Sequence, residues 1–162
     1  MADQDLGHSG YVVRPHLVRV IAIISTIAVC AMFAIGWLLL PAEIRALFTV
    51  SQLLTLLGVL ALFVFGMVAL GSSYVRADAT GLRIRNGLRV YAVPWARVHK
   101  IILRQGDPWA LLLMTPEDGR PFEADFDAEK RQLMGIQAVD GRLAKAAVNE
   151  LRVRHRRFLE PP

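Results

Sequence analysis

The side chains able to carry nucleophilic or metal chemistry are few in this chain, and their spacing is unfavourable. One cysteine, Cys30, lies inside an uncharged apolar run, and a single thiol closes no intramolecular disulfide. The four histidines, His8, His16, His99 and His155, are scattered along the chain. A nucleophile needs an oriented base beside it, and none of these histidines sits in a motif that would supply one. His99 shares a predicted strand face with Ile101 and Leu103, where a partly buried structural role is expected. Glu123, Asp125 and Asp127 alternate along another predicted strand and share a face. That geometry suits a cation, but no EF-hand-like loop accompanies it, and a solvated acidic face is the plainer reading. No Cys/His set has metal-ligand spacing, and there is no P-loop and no G-x-G-x-x-G. The sequence therefore predicts no catalytic residue, no metal and no cofactor, and the chain reads as a non-enzyme.

The basic residues are more informative. The chain has 19 Lys/Arg against 14 Asp/Glu, a formal net charge of +5. Between Arg76 and Arg104 there are seven basic residues and one acid, Asp78. Arg83, Arg85 and Arg89 fall on one predicted hairpin. Arg142, Lys145, Arg152 and Arg156, with Asn149, fall on the outer face of a predicted C-terminal helix. These seven cations are the candidate contacts for anionic headgroups or for a protein partner; each charge near an anionic leaflet contributes about 1 kcal/mol. The competing reading is the positive-inside bias of membrane proteins, which places such residues there without a ligand. Arg152, Arg154, Arg156 and Arg157 also suit the negative end of a helix macrodipole, and nucleic acid is not expected as a partner.

The elements that position these residues follow from the distribution of apolar side chains. Hydrophobic residues make up 54% of the chain, and they are concentrated before residue 71. Residues 71–162 hold 16 of the 19 Lys/Arg and 11 of the 14 Asp/Glu. Residues 20–40 and 47–70 carry no charge, and as helices of about 1.5 Å rise per residue both reach across a hydrocarbon core of about 30 Å. The first run is too long for a secretory h-region, and no cleavage motif follows it. Residues 41–46 form a short extracytoplasmic loop, so the two helices make an antiparallel hairpin. Ala22, Thr26, Cys30 and Ala34 recur every four residues on the first helix, the spacing of close transmembrane packing. Packing within the hairpin is preferred to a homo-oligomer face, and Cys30 is read as a small packing residue. Thr49, Ser51, Gln52 and Thr55 are expected at the interface or toward the first helix. Trp37 reads as an interfacial anchor.

Arg14 and Arg19 precede the first run, and Arg76, Arg83, Arg85 and Arg89 follow the second. That asymmetry predicts a multi-pass protein of the plasma (inner) membrane with both termini cytoplasmic. Residues 1–19 form the N-terminal tail, of which 1–13 are expected to be mobile.

From Ser73 onward the pattern is that of short strands with turn punctuation. Predicted strands cover 74–76, 82–85, 88–93, 98–104, 109–115, 122–126 and 132–136. Asp78-Ala79-Thr80-Gly81 is turn chemistry, and Asn86-Gly87 is a two-residue hairpin signal. Gln105 to Pro108 and Pro116 to Gly119 separate later strands. Trp95 and Trp109 are expected in or at the rim of the core. A final amphipathic helix buries Ala144, Ala147, Val148 and Leu151, with Leu143 widening the stripe and Asp140 as its N-cap.

Seven short strands and one C-terminal helix resemble the pleckstrin-homology superfold. The segments Asp78-x-x-Gly81-Leu82-Arg83-Ile84-Arg85, Val93-Pro94-Trp95, Glu117-Asp118-Gly119 and Gly135-Ile136-Gln137-Ala138-x-Asp140-Gly141-Arg142 are similar to the bacterial PH-like domains of small two-span membrane proteins. The resemblance covers 72–155. It implies an α+β domain over 71–162, a bent antiparallel sheet or small barrel closed at one end by the helix. The inositol-phosphate motif of eukaryotic relatives has no counterpart in the Ala79-Thr80-Gly81 turn. The expected function is a membrane-anchored module that recruits an unidentified protein or docks on the inner leaflet. The alternative is an accessory subunit of a larger membrane complex, held by the helical hairpin.

Overall fold

The computed structural model describes residues 10–117, 120, 122 and 129–160. The chain divides into two compact units, residues 18–71 and residues 1–17 with 72–162.

The first unit is helical. α1 (His16–Leu39) and α3 (Val50–Gly71) are each long and apolar enough to cross a membrane. Between them the predicted loop contains one short helical turn, α2 (Ala42–Arg45). α1 starts four residues before its charge-free run, and α3 starts three residues inside its own, where a cap sets its N-terminus. α3 begins with a reciprocal capping box: the Gln52 amide donates to Thr49 Oγ1 (3.3 Å) and the Thr49 amide donates to Gln52 Oε1 (2.9 Å). Thr55 donates to the Ser51 carbonyl of its own helix (2.9 Å). Of the four-residue stripe, Ala22 is buried, Thr26 and Cys30 are half-buried and Ala34 is exposed. Thr26 satisfies its hydroxyl on the Ala22 carbonyl (2.7 Å). Trp37 meets Phe48 edge to face, with ring centroids 5.4 Å apart.

The second unit is a pair of antiparallel sheets with one helix. β1 (Tyr11–Val13), β2 (Tyr74–Ala77), β3 (Gly81–Asn86) and β4 (Arg89–Pro94) form the first sheet in that order. β5 (Val98–Ile102), β6 (Trp109–Met114) and β7 (Lys130–Gln137) form the second. No closed barrel is present among the described residues. The expected strand over 122–126 and the turn at Asp118-Gly119 lie outside the described residues apart from Phe122, as do Glu123, Asp125 and Asp127.

β1 corrects the expectation of a mobile tail over 1–13 at Tyr11–Val13, and residues 1–9 lie outside the described residues. Tyr11, Val12 and Val13 pair with Ala77, Arg76 and Val75, because three β-prone residues suffice when an edge is waiting for them. The Tyr11 ring is held from the helix side, with the Arg154 guanidinium 5.3 Å from its centroid. Burial pushes the Tyr11 phenol up, and the nearby Glu150 carboxylate adds to that.

Inward-facing Val75, Ala77, Leu82, Ile84 and Val93 of the first sheet pack on Ile101, Leu112 and Leu133 of the second. Trp95 is in this core, and its indole donates to the Asp78 carbonyl (2.9 Å). α4 (Arg142–Leu159) seals the core with Ala144, Ala147, Val148 and Leu151, as its periodicity predicts. Each such side chain contributes roughly 1.5–3 kcal/mol on full burial, less for alanine. Leu143 does not join them: it is exposed, because the stripe that meets β5 and β7 is narrower than the apolar arc.

The two sheets are joined at a close backbone crossing. A Cβ on Gly135 would lie 2.7 Å from the Tyr74 carbonyl carbon and the Val75 nitrogen, so only glycine allows β7 to approach β2 there. The β6–β7 register is irregular across the same region.

Candidate functional site

The outer face of the first sheet carries the basic hairpin. Strand alternation sends Leu82 and Ile84 inward, so Arg83 and Arg85 point outward. Arg83 lies directly opposite Arg76 of β2 and Ala92 of β4. Two like charges in one cross-strand row repel unless an anion or solvent intervenes. Val90, paired with Arg85, and Ala92 and Pro94 complete an exposed, mixed apolar and basic face. A shallow groove of about 560 Å³ runs along it, between the Asp78–Gly81 turn and Pro94. Asp78 organises that turn, accepting from the Thr80 hydroxyl (2.7 Å), the Thr80 amide (2.9 Å) and the Gly81 amide (3.2 Å). The Thr80 hydroxyl, then the Thr80 and Gly81 amides, hold the Asp78 carboxyl below its usual range.

The hairpin tip differs from expectation in register. Asn86 pairs with Arg89, so the turn is Gly87-Leu88, with Gly87 at φ 60° and Asn86 still in the strand. Among the described residues no non-glycine has positive φ, and a turn with glycine first needs only one such position. Asn86 is freed for another task. Its Nδ2 donates to the Gln132 carbonyl (2.8 Å), and its Oδ1 accepts from the Met134 amide (3.2 Å), so one side chain binds β7 as a strand neighbour would. The tip is also pinned from β2. The Gly87 amide donates to buried Ser73 Oγ (3.0 Å), and the Gly87 carbonyl accepts from Ser72 Oγ (3.3 Å) and Arg85 Nε (2.9 Å). Arg85 thus holds its own turn, whereas Arg83 and Arg89 are exposed.

On α4 the predicted cations Arg142, Lys145, Arg152 and Arg156 are exposed. Arg152 is anchored, with Nε donating to the Ile101 carbonyl (2.8 Å), and Arg154 Nε binds Glu150 (2.7 Å). The hairpin and helix cations lie on separate elements, Arg85 tied to the Gly87 carbonyl and Arg152 to the Ile101 carbonyl.

Asp140 is the largest departure at this surface. It does not cap α4, whose N-cap is Gly141 at φ 57° with no side-chain acceptor. Its two carboxylate oxygens instead accept from the His16 amide (3.0 Å) and the Leu17 amide (2.9 Å), the first two residues of α1. α1 has no acid in its own first turn, so a residue far along the chain supplies the charge its macrodipole favours.

The remaining candidates resolve as structural. A bulge between Val98 and Lys100 shifts the alternation, so His99 is exposed and its ring stacks on Phe122 at 4.0 Å. His155 stacks on Trp95, and its Nε2 is enclosed without a hydrogen-bond partner among the described residues. Burial draws its imidazole below the usual value. Arg97, which sequence reasoning passed over, clamps the second sheet. It pairs with Glu117 and with Glu129 (2.7 Å), and it also donates to the Thr115 carbonyl. Nothing in its sequence context marks it, since its acids lie far along the chain. No group of three metal-ligating side chains occurs among the described residues.

Two small antiparallel sheets, a bulged crossing and a C-terminal helix laid across the core define a PH-like domain, the class of scaffold generally used as a non-catalytic binding module. Residues 73–154, just over half of the chain, match the Bacterial PH domain family model, and the chain belongs to that family. No curated protein and no solved structure matches it.

Proposed function

We propose that this is an integral protein of the inner membrane, with both termini cytoplasmic, whose PH domain is a non-enzymatic binding module held at the inner leaflet. One observation carries the reading: β1 and β2 are hydrogen-bonded neighbours in one sheet, although both long apolar helices lie between them in the chain. Strands that pair share a compartment, so the intervening segment crosses an even number of times, and α1 and α3 supply two crossings. The positive-inside rule then favours the cytoplasm for the end bearing Arg14, Arg19 and the basic hairpin. Arg76, Arg83 and Arg89 give that domain an anion-attracting surface.

The accessory-subunit reading has less support. Thr49, Gln52 and Thr55, the polar side chains that would contact a partner helix, make their hydrogen bonds within α3 and its cap.

Alkaline carbonate extraction of native membranes, followed by protease digestion of intact spheroplasts, tests the proposal. The full chain should stay in the pellet, and tags at both ends should survive until the membrane is opened. Release by carbonate removes the membrane anchor, and digestion of either tag in intact spheroplasts removes the orientation.

A further inference from the structure

The domain's hydrogen bonds identify which of its surfaces is tied to the points where the chain enters and leaves the apolar helices. Ser72 follows Gly71, the last residue of α3, and with Ser73 it grips the Gly87-Leu88 turn. His16 and Leu17 open α1, and Asp140 grips both. These are the Ser72–Ser73 and His16–Leu17 ends of the domain's own strands: Val13 pairs with Val75, and Tyr74 with Arg85. The Asp78–Gly81 turn lies at the opposite end of β2 and β3.

The residues beside these two grips are apolar and uncovered. At the hairpin, Leu88 is 64% exposed and Val90 48% exposed. Beside Asp140, Val139 is 60% exposed and Leu143 64% exposed. Each pair is accompanied by an exposed arginine, Arg89 at the first and Arg142 at the second. A turn-tip leucine next to a cation is ill suited to water but well suited to a headgroup layer, where the apolar part enters the acyl boundary and the charge remains among phosphates. Arg142 occupies the first position of an uncapped helix, where the macrodipole disfavours it, so an external anion would improve its setting.

We infer that Leu88 with Val90, and Val139 with Leu143, are two apolar prongs by which the PH domain rests in the same bilayer that α1 and α3 cross, with Arg89 and Arg142 on its phosphates. The occupant is a lipid surface, since both prongs lie within a few residues of the helix ends that would emerge from it. This rests on the membrane-spanning reading above. The groove along this sheet runs from Val90, at the first prong, to Pro94 and the Asp78–Gly81 turn.

Spin labelling of the full chain tests the inference and separates its failure from that of the underlying reading. In a Cys30→Ala background, single variants Leu88→Cys, Val139→Cys, Ala79→Cys and Ile27→Cys carry a nitroxide in liposomes of phosphatidylcholine and phosphatidylglycerol. Relaxation by oxygen relative to a water-soluble nickel chelate reports depth. Labels at 88 and 139 should shift toward oxygen relative to the label at 79, part of the way to the label at 27. If 88 and 139 read like 79, the prongs are in water and the inference is overturned, whereas 27 still reports the span. Shielding of 88 and 139 from both reagents would mean protein cover, and this also overturns it. A water-like reading at 27 would remove the membrane-spanning proposal itself. Leu88 and Ala79 are exposed turn positions and Val139 an exposed position of a short 3-10 turn, and a Val90→Glu substitution added to the Leu88→Cys variant gives a second check: the chain should stay in the bilayer and the label at 88 should become more accessible to nickel, and unchanged accessibility would count against the first prong.

Discussion

Removing the Asp140 carboxylate should loosen the start of α1 without touching α1 itself. The two bonds it accepts, 3.0 Å from the His16 amide and 2.9 Å from the Leu17 amide, take the place of a local N-cap. Loss of a helix N-cap costs about 0.5–2 kcal/mol. If local opening governs exchange, Asp140→Ala should speed amide hydrogen exchange at His16 and Leu17 by roughly 2- to 30-fold, at about 1.4 kcal/mol per decade. Asp140→Asn loses the charge and one of the two acceptor oxygens, so it should keep one of the two amide contacts, and the faster exchange should fall mainly on whichever of His16 and Leu17 loses its acceptor. The assay is exchange mass spectrometry of the full chain in nanodiscs, with fragmentation to resolve single amides. Amides at Ala28 and Val29, in the middle of α1, are the internal reference. Unchanged exchange at His16 and Leu17 in the alanine variant would refute the capping role. An equal rise along the whole of α1 would mean that Asp140 acts on global stability.

Three further outcomes are expected. Asn86→Ala leaves the Gln132 carbonyl and the Met134 amide without their partner, and should lower domain stability by about 1–3 kcal/mol in thermal unfolding followed by near-UV circular dichroism; Asn86→Asp should keep the Met134 contact alone. Gly135→Ala places a methyl group 2.7 Å from β2 backbone and should cost about 1–3 kcal/mol or more as overpacking, whereas Gly106→Asn, at a positive φ in open space, should cost far less. His155 is held below its ordinary value of 6.5 chiefly by burial, so the unfolded chain binds the proton more readily. Stability from this group is present above pH 6.5 and is lost as pH falls from there through the lower folded value. In His155→Phe the slope of melting temperature against pH below 6.5 should flatten, and an unchanged slope would place the effect elsewhere.

Patterns that depend on neighbouring residues were legible in the sequence. The apolar runs marked both long helices, the 3.6-residue stripe marked Ala144, Ala147, Val148 and Leu151 as buried, and Leu82 and Ile84 were placed inward by alternation. Partners distant along the chain were not legible. Asp140 has the sequence context of a cap for the helix it precedes, yet its acceptors serve α1. Asn86 beside Gly87 has the composition of a turn, yet the turn begins one residue later and Asn86 bonds to β7. His99 obeys alternation only without the bulge that displaces it. Tyr11-Val12-Val13 was too short to stand as a strand by pattern alone and is one because β2 offers an edge. The Thr49-x-x-Gln52 capping box was the one missed local signal, readable from spacing. At the basic surface the sequence identified the cations but not which are occupied: Arg85 and Arg152 are tied to backbone carbonyls, and Arg83 and Arg89 are exposed.

The pairing of β1 with β2 also dictates an order of events at the ribosome. β1 leaves the exit tunnel first, but its partner is not made until α1, α2 and α3 have all been synthesised. In the proposed two-crossing topology, Tyr11, Val12 and Val13 would wait as an unpaired strand through the insertion of both helices, and the sheet would close only when the chain had returned to the side on which it began. A nascent chain in which α3 failed to cross would present β2, β3 and β4 to the wrong compartment, where β1 is out of reach. The edge of β2 would then stay open, a template for pairing with other chains. In that topology the pairing of Tyr11, Val12 and Val13 would report the outcome of insertion, because their sheet closes only when β2 arrives to meet them.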